Sequence, residues 1–259
     1  MRREGVPIIV VLPAALGAAF FIVPLVGLIV RSPWGDALTA LSAPETLEAL
    51  KLSLIASLSA TAVALVLGVP LAWVYARVAF PGRDLLRALT TLPMVLPPVV
   101  GGIALLLAFG RSGLLGAWLD STFGITFPFT TVGVVMAETF VAMPFLILTV
   151  EAGLRSMDRR YEEAARALGA GRWRVFVRVT LPLIGPSLFA GAVLCWARAL
   201  GEFGATITFA GNFPGVTQTM PLAVYLLLPH EASFILSLVL LLVSLVVLVG
   251  LKDRWLGSA

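Results

Sequence analysis

Six long apolar segments alternate with shorter polar stretches along the chain. An α-helix rises about 1.5 Å per residue, so about 20 residues are enough to cross the roughly 30 Å hydrocarbon core of a bilayer. Each apolar segment reaches that length, and the pattern therefore predicts an all-α integral membrane protein with six transmembrane helices. The predicted spans are Ile8–Val30, Leu47–Ala76, Leu85–Phe109, Thr131–Leu154, Leu181–Ala210 and Ala232–Leu251.

One long polar stretch, Gly153–Pro182, interrupts this pattern and carries seven arginines. Within it, residues 157–172 have apolar side chains at helical spacing, with start and stop signals at the two ends. Such a helix of three or four turns is too short and too polar to span a membrane. Two interpretations stay open: a helix held on anionic lipid by its arginines, or a docking helix for a cytoplasmic partner. The start and stop signals are Asp158, Glu162, Glu163, Gly169 and Gly171.

Composition supports one membrane domain over residues 1–259. Hydrophobic residues make up 59% of the chain and charged residues only 12%, whereas about a quarter of a soluble domain is charged. The net charge of +4 does not indicate nucleic-acid binding, because the basic residues cluster in loops beside the apolar segments. With one cysteine, Cys195, and one histidine, His230, the chain has neither an internal disulfide nor a metal site of these residues.

The basic residues also predict the orientation of the spans. Lysines and arginines favour the cytoplasmic side of a membrane. With the N-terminus inside, only Arg31, Lys51 and Arg111 face outward. Both termini are therefore expected in the cytoplasm. The first apolar segment is longer than the core of a signal peptide and is interpreted as a retained span. The inner side then holds Arg2, Arg3, Arg77, Arg83, Arg87, the seven arginines of the polar stretch, Lys252 and Arg254.

Helix-breaking residues lie inside the third predicted span. Proline removes a backbone donor and clashes with the preceding turn, so a break in lipid needs protein or a water-filled cavity around it. The segment is either a kinked packing helix or a helix that lines a path or gate. The residues concerned are Pro93, Pro97, Pro98, Gly101 and Gly102, of which Pro97, Pro98 and Gly101 are candidates for the path.

Charged residues lie inside the fourth and fifth predicted spans. Arg198 and Glu202 are four residues apart, so they can face each other on one side of a helix. Inserting an arginine at the centre of a membrane helix costs about 2.5–3.5 kcal/mol of free energy on insertion scales, so the pair is expected to have a structural or functional role. It is either an ion pair that sets packing or, with Phe203 and Gly204, part of a translocation path or gate. Glu138 is a further intramembrane carboxylate, for which the sequence names no partner.

The polar stretch resembles the EAA loop of ATP-binding cassette (ABC) importer permeases. Glu163-Ala164-Ala165, Gly169 and Val179-x-Leu181-Pro182 match its spacing, and Val179 replaces the usual isoleucine. The resemblance implies that the helix is a coupling helix seated in a separate ATPase subunit. The chain lacks a phosphate-binding loop, so ATP and Mg²⁺ are expected on that subunit and no cofactor on this chain. The coupling residues so implied are Tyr161, Glu162, Glu163, Ala164, Ala165, Leu168, Gly169 and Gly171.

Two further segments, Leu92–Gly116 and Ala197–Tyr225, are similar to the permeases of molybdate, tungstate and sulfate importers. The similarity covers about residues 45–250 and implies the type I (MetI-like) permease fold in a bacterial or archaeal cytoplasmic membrane. It further implies a non-catalytic homodimer with two ATPase subunits and an external oxyanion-binding protein, moving molybdate or tungstate by alternating access. A sulfate or thiosulfate permease, which is usually a heterodimer, is the alternative. A stand-alone secondary transporter or channel is a weaker one.

Overall fold

The computed structural model describes residues 8–228 and 232–250. Within these ranges every regular element is a helix, which confirms the predicted all-α class. The α-helices are α1 Ile8–Arg31, α2 Ala37–Ser42, α3 Pro44–Arg77, α4 Arg83–Thr91, α5 Pro98–Phe109, α6 Gly116–Phe123, α7 Thr131–Ser156, α8 Arg160–Ala167, α9 Arg172–Val175, α10 Leu181–Leu183, α11 Gly185–Leu200, α12 Gly204–Phe209, α13 Met220–Leu226 and α14 Ala232–Gly250. Trp34–Asp36 and Leu92–Met94 form 3-10 turns, and Phe176–Thr180 forms a π-helical turn.

The centre of the bundle is formed by α3, α7 and α11. Lipid tails are as apolar as leucine, so small residues that allow close backbone approach largely decide where membrane helices pack. In α3, Ala56, Ala60 and Ala64 recur every four residues and are fully buried. At Gly68 an added Cβ would lie 3.2 Å from Cγ1 of Ile147 in α7, so this crossing depends on a missing side chain. The small residues of α3 thus form a flat surface against which α7 packs.

The third predicted span is not one continuous helix. Arg83–Met94 and Pro98–Phe109 meet at an angle of 118°. The backbone is extended at Pro97, where ψ is 131°, and Pro98 then starts α5. Proline at these two positions cannot donate the backbone hydrogen bonds that would continue the first helix. The chain therefore reverses within the apolar segment.

The fifth predicted span is also divided. The helical segment Arg172–Leu183 meets Gly185–Leu200 at 75°, next to Pro186. Beyond α11, residues 201–203 interrupt the helix before the short α12 begins. The predicted span therefore consists of α10, α11 and α12, and α10 belongs to an arm that is bent away from α11.

Among the described residues, three helices, α1, α3 and α7, are long and apolar enough to cross a membrane, and the count rises to five if each bent pair is one span. The sixth predicted segment corresponds to the apolar α14, whose side chains are described from Ala232 to Val246. The six-span count therefore stays a prediction. Arg2, Arg3, Lys252 and Arg254 lie outside the described residues, so the cytoplasmic position of the termini also stays a prediction.

Candidate coupling surface and translocation path

Local hydrogen bonds define both ends of α8. At its start, the backbone N–H of Arg160 donates to Oδ1 of Asp158 over 2.9 Å, so Asp158 takes up one of the free donors of the first turn. At its end, Gly169 has a φ of +85°, and the N–H groups of Gly169 and Ala170 donate to the carbonyls of Arg166 and Ala165. This is a Schellman motif, in which a glycine with positive φ closes the helix.

The helix is shorter than predicted, with eight residues. Met157 is not part of it, since it follows α7 and packs against the central core. Gly171 does not end the helix either, because it precedes α9 with an ordinary φ of −65°. Closure at Gly169 separates Gly171 from α8.

Glu162 joins α8 to the membrane bundle and is almost fully buried. Its Oε1 accepts a hydrogen bond of 2.8 Å from the hydroxyl of Thr180 in the π-helical turn. Its Oε2 lies 3.3 Å from Nε of Arg77, the last residue of α3, and 3.7 Å from Nη2 of Arg166. A buried carboxylate with charged partners is costly to disrupt, because either partner alone would be left unpaired. Glu162 therefore holds α8 against α3.

The opposite side of α8 is open. Tyr161 is 58% exposed and Leu168 is 89% exposed, and Glu163, Ala164 and Gly169 are exposed as well. Residues 161, 164 and 168 share one face of a helix, since three and four residues make about one turn. The exposed surface of Tyr161, Ala164, Leu168 and Gly169 is called the coupling face below. Large apolar side chains on a polar loop indicate an interaction surface.

A second set of contacts ties the C-terminal end of α7 to the rest of the bundle. Glu151 is buried, and its carboxylate forms ion pairs with Nε of Arg87 at 2.9 Å and with Nη2 of Arg155 at 2.7 Å. Arg159 donates from Nη2 to the carbonyl of Ala76 over 3.2 Å. Guanidinium groups thus join α4 to the end of α7, and Arg159, the residue before α8, to the end of α3.

Between α10 and the coupling face, the chain forms a π-helical turn. Pro182 has no N–H, and its ring would clash with the carbonyl of Arg178 in a regular α-helix. The turn at Phe176–Thr180 is wider than an α-helical turn, with the N–H of Leu181 donating to the carbonyl of Phe176. The same turn places Thr180 against Glu162. The Leu181-Pro182 pair of the loop motif therefore has a structural role in positioning α8.

Next to the break before α12, α5 and α12 cross at very short range. A Cβ added at Gly102 would lie 2.6 Å from Cβ of Thr208 and 2.9 Å from the carbonyl oxygen of Ala205. A Cβ added at Gly204 would lie 2.7 Å from Cβ of Pro98. Both glycines are thus required by the crossing. They bring the break before α5 next to the break before α12.

Arg198 and Glu202 bridge the break between α11 and α12. Nη1 of Arg198 lies 2.6 Å from Oε2 of Glu202, which confirms that these residues face each other. Oε1 of Glu202 accepts a hydrogen bond of 2.9 Å from the N–H of Ala205. The cation thus lies at the C-terminal end of α11 and the carboxylate at the start of α12, where the helix termini favour those charges. The pair and this hydrogen bond thus link the end of α11 to the start of α12 across residues 201–203.

Glu138 of α7 is buried near this pair. Its carboxyl group is close enough to Glu202 for the two to interact electrostatically. Oε2 of Glu138 has no hydrogen-bond partner among the described residues. The structure therefore places Glu138 beside the Arg198–Glu202 pair, and no residue in the described part of the chain forms an ion pair with it.

The candidate path residues occupy different environments. Pro97 and Pro98 are exposed at the break before α5, and the ring of Phe203 contacts Tyr225, which is also exposed, with centroids 5.0 Å apart. Gly101 is buried, and a Cβ there would lie 3.2 Å from Cε1 of Phe140. The structure thus brings Pro98, Gly204 and the Arg198–Glu202 pair together, whereas Gly101 lies in a helix contact.

Sequence reasoning placed Arg77 on the inner side but did not connect it to the coupling helix, and it gave Thr180 no role. These two residues hold Glu162 although they lie 85 and 18 positions away from it. Glu162, which precedes the Glu163-Ala164-Ala165 motif, was a signal of an ion pair in the sequence, because its carboxylate is flanked by arginines with which it can pair. Its partners follow only from the way α3 and the π-helical turn pack.

The family described as binding-protein-dependent transport system inner membrane component matches residues 64–257. The molybdenum transport system permease protein ModB of Mycobacterium bovis is 45% identical over 247 residues, covering 95% of this chain and 93% of that protein. ModB of Escherichia coli K12 is 44% identical, with 81% and 93% covered. The sulfate transport system permease protein CysT of Escherichia coli K12 is 36% identical, with 88% and 83% covered.

Among solved structures, a bacterial ABC transporter involved in the import of the acidic polysaccharide alginate has the same fold. Its chain superposes with a TM-score of 0.74 at 19% identity, covering 96% of this chain and 95% of that one. The bundle with broken spans and an exposed helix on a polar loop is thus the permease fold of type I ABC importers. The chain belongs to the family of binding-protein-dependent transport system inner membrane components. The resemblance to this class and its place in the inner membrane are confirmed.

Proposed function

We propose that this chain is the transmembrane permease subunit of an ATP-driven oxyanion importer whose cargo is molybdate or, as the alternative, tungstate. The proposed coupling to an ATPase rests on one observation: the short helix α8 is anchored by the buried Glu162 and exposes the coupling face. The cargo follows from two relatives at 44–45% identity that are named as molybdenum permeases. Molybdate and tungstate are both tetrahedral dianions, so one path suits either.

The energy source in this proposal is a pair of ATPase subunits. The chain has no phosphate-binding loop, so ATP and Mg²⁺ would bind to those subunits and no residue of this chain performs covalent chemistry. The coupling face would lie in a cleft of one ATPase subunit. When ATP closes the two subunits, α8 moves with its cleft, and Glu162 transmits the movement to Arg77 and α3. Hydrolysis of ATP then resets the permease.

Two copies of the chain would form the complete permease. Within one copy, α1 is apolar all round and its main contact is with α14, so most of it is free to cover a neighbour. Pro97, Pro98, Phe203 and Arg198 are at least partly exposed on a single copy. In a homodimer these residues would line the path between the copies. Access would alternate between an external oxyanion-binding protein and the cytoplasm.

Arg198 has a specific part in the proposed path. Its side chain is 29% exposed, and its charge is neutralised by Glu202. A passing dianion would be attracted by the arginine, while the fixed carboxylate prevents tight retention. This balance of attraction and weakening suits a permease, because the anion must leave the path as readily as it enters. Selection among oxyanions would take place mainly at the binding protein.

Reconstitution tests this function. The chain is co-expressed with its ATPase, placed in proteoliposomes with the binding protein, and assayed for uptake of molybdate, tungstate and sulfate. We expect ATP-dependent molybdate uptake, and loss of ATPase co-purification in the double variant Tyr161→Ala/Leu168→Ser, because exposed tyrosines are frequent binding hot spots. The matched control is Trp173→Ala, which removes an exposed aromatic residue outside the coupling face. Uptake without any ATPase would refute the proposal.

A sulfate permease is the second candidate function. It is supported by the 36% identity with a sulfate transport system permease protein. Such a permease would pair with a related second chain, so the purified complex would contain two different permease subunits. Sulfate-stimulated ATP hydrolysis without a response to molybdate would favour this candidate.

A further inference from the structure

A polar cavity of about 260 Å³ lies behind α8, on the side away from the coupling face. Its walls come from the inner end of α3, from α8, and from the arm that includes α9 and the π-helical turn. A water molecule takes up about 30 Å³ in the liquid, so the cavity has room for a multi-atom ion with several waters. The four residues of the coupling face do not line this cavity.

The lining of the cavity is strongly basic. Four guanidinium groups and two carboxylates border it, an excess of two positive charges. The carboxylate of Glu162 serves both Arg77 and Arg166, so it does not fully neutralise either. Charged groups in a cleft raise the local concentration of ions of opposite sign. The charged lining residues are Arg77, Arg159, Arg166, Arg172, Glu162 and Glu163.

Arg77 is the strongest sign of a missing ligand. Its side chain is only 7% exposed, and Nε lies 3.3 Å from Glu162 without hydrogen-bond geometry. Nη2 is buried and has no hydrogen-bond partner among the described residues. A buried charged donor without an acceptor is unfavourable, and an anion in the cavity would supply one. Arg172, on the facing arm, forms no ion pair with the described residues.

We propose that this cavity binds a tetrahedral oxyanion, either a free inorganic dianion or the phosphate group of a lipid. Guanidinium groups suit such oxyanions because their N–H donors match the spacing of two oxygens. Because the lining comes from α3, α8 and the arm, a bound oxyanion joins these elements. The site lies beside the coupling helix and apart from the proposed path, so the proposal goes beyond the transport function and does not depend on it.

The test is thermal unfolding of the full-length chain in detergent. Phosphate and sulfate are compared with chloride at equal ionic strength, for the unmodified chain, Arg172→Gln and Arg174→Gln. Arg174 lies two positions away, is exposed and does not line the cavity, so it is the matched control. We expect phosphate and sulfate to raise Tm by several degrees in the unmodified chain and in Arg174→Gln, but not in Arg172→Gln.

The same variants in nanodiscs distinguish the two sources of the oxyanion. If a lipid phosphate fills the cavity, nanodiscs with phosphatidic acid raise the Tm of the unmodified chain above that of Arg172→Gln, and free phosphate adds nothing. If free anions fill it, the phosphate effect persists in neutral-lipid nanodiscs. Equal anion responses of the two variants in both media would overturn the site. A second outcome would also overturn the site: no anion raises Tm in either medium, and Arg172→Gln alone weakens ATPase co-purification. The cavity would then accept an acidic side chain of the ATPase.

Discussion

Glu162, the third residue of α8, lies 3.3 Å from Arg77, the last residue of α3. Both side chains are more than nine-tenths buried. The exposed neighbour Glu163 belongs to the recognisable motif, whereas the buried Glu162 makes the contacts that join α8 to the bundle. In the proposed mechanism, force applied to the coupling face would reach α3 through this ion pair and the hydrogen bond to Thr180.

Replacing Glu162 with Gln should loosen α8. The neutral amide removes the charge that compensates Arg77, and loss of a hydrogen bond involving a charged group costs about 1.5–3 kcal/mol. The fraction of molecules with the loop open should rise roughly tenfold or more, since about 1.4 kcal/mol corresponds to a factor of ten. The rate of limited trypsin cleavage at the arginines of 155–178 measures this fraction. Glu163→Gln, at an exposed position, should cleave at the unmodified rate, and equal rates for all three proteins would contradict the role of Glu162.

Gly169 should be sensitive to the addition of one methyl group. A residue with a Cβ costs about 1–2 kcal/mol in the left-handed conformation that Gly169 adopts at φ +85°. We expect Gly169→Ala to lower substrate-stimulated ATP hydrolysis several-fold while the complex still assembles in the membrane. Gly171→Ala is the control, because its φ is −65° and an added Cβ meets nothing within 4 Å. Identical activity of the two variants would show that the Schellman closure is unimportant for coupling.

The crossing of α5 and α12 should not tolerate a side chain at Gly102. An added Cβ would overlap Cβ of Thr208 and a backbone carbonyl, and backbone atoms cannot move aside as a side chain can. Overpacking of this kind typically costs about 1–3 kcal/mol. Gly102→Ala should therefore lower Tm in detergent and reduce uptake.

The control for this prediction is Gly185→Ala, because the space around Gly185 is open. A Tm for Gly102→Ala that equals that of Gly185→Ala would mean that the two broken spans are further apart than in this structure.

The Arg198–Glu202 pair should show strong coupling in a double-mutant cycle. Arg198→Met alone leaves the buried Glu202 carboxylate unpaired, near Glu138, and should destabilise the protein by about 3 kcal/mol. Glu202→Gln alone leaves a partly exposed arginine and should cost less. The double variant should be more stable than Arg198→Met, because it removes the uncompensated charge. Thermal unfolding of the four proteins measures this, and strictly additive losses would exclude a direct interaction.

Local patterns were enough to predict several features of the candidate sites. Arg198 and Glu202 are separated by one helical turn, so their contact followed from spacing alone. Closure of α8 at Gly169 was predictable because glycine alone adopts a positive φ at no cost. The length of α8 was overestimated, since apolar residues at helical spacing continue past the point where the backbone turns. Met157 fits the same pattern although it packs with α7.

The amino-acid sequence by itself determined the class of this protein, its apolar segments, the polar loop between them and the motif that places it in its family. Those features depend on composition and on spacing within one or two turns. Only the tertiary structure decided that Glu162 meets Arg77 and Thr180, that Gly102 lies against Thr208, and that two predicted spans are bent. Contacts between residues far apart in the chain depend on how whole helices pack, and no local periodicity records that packing.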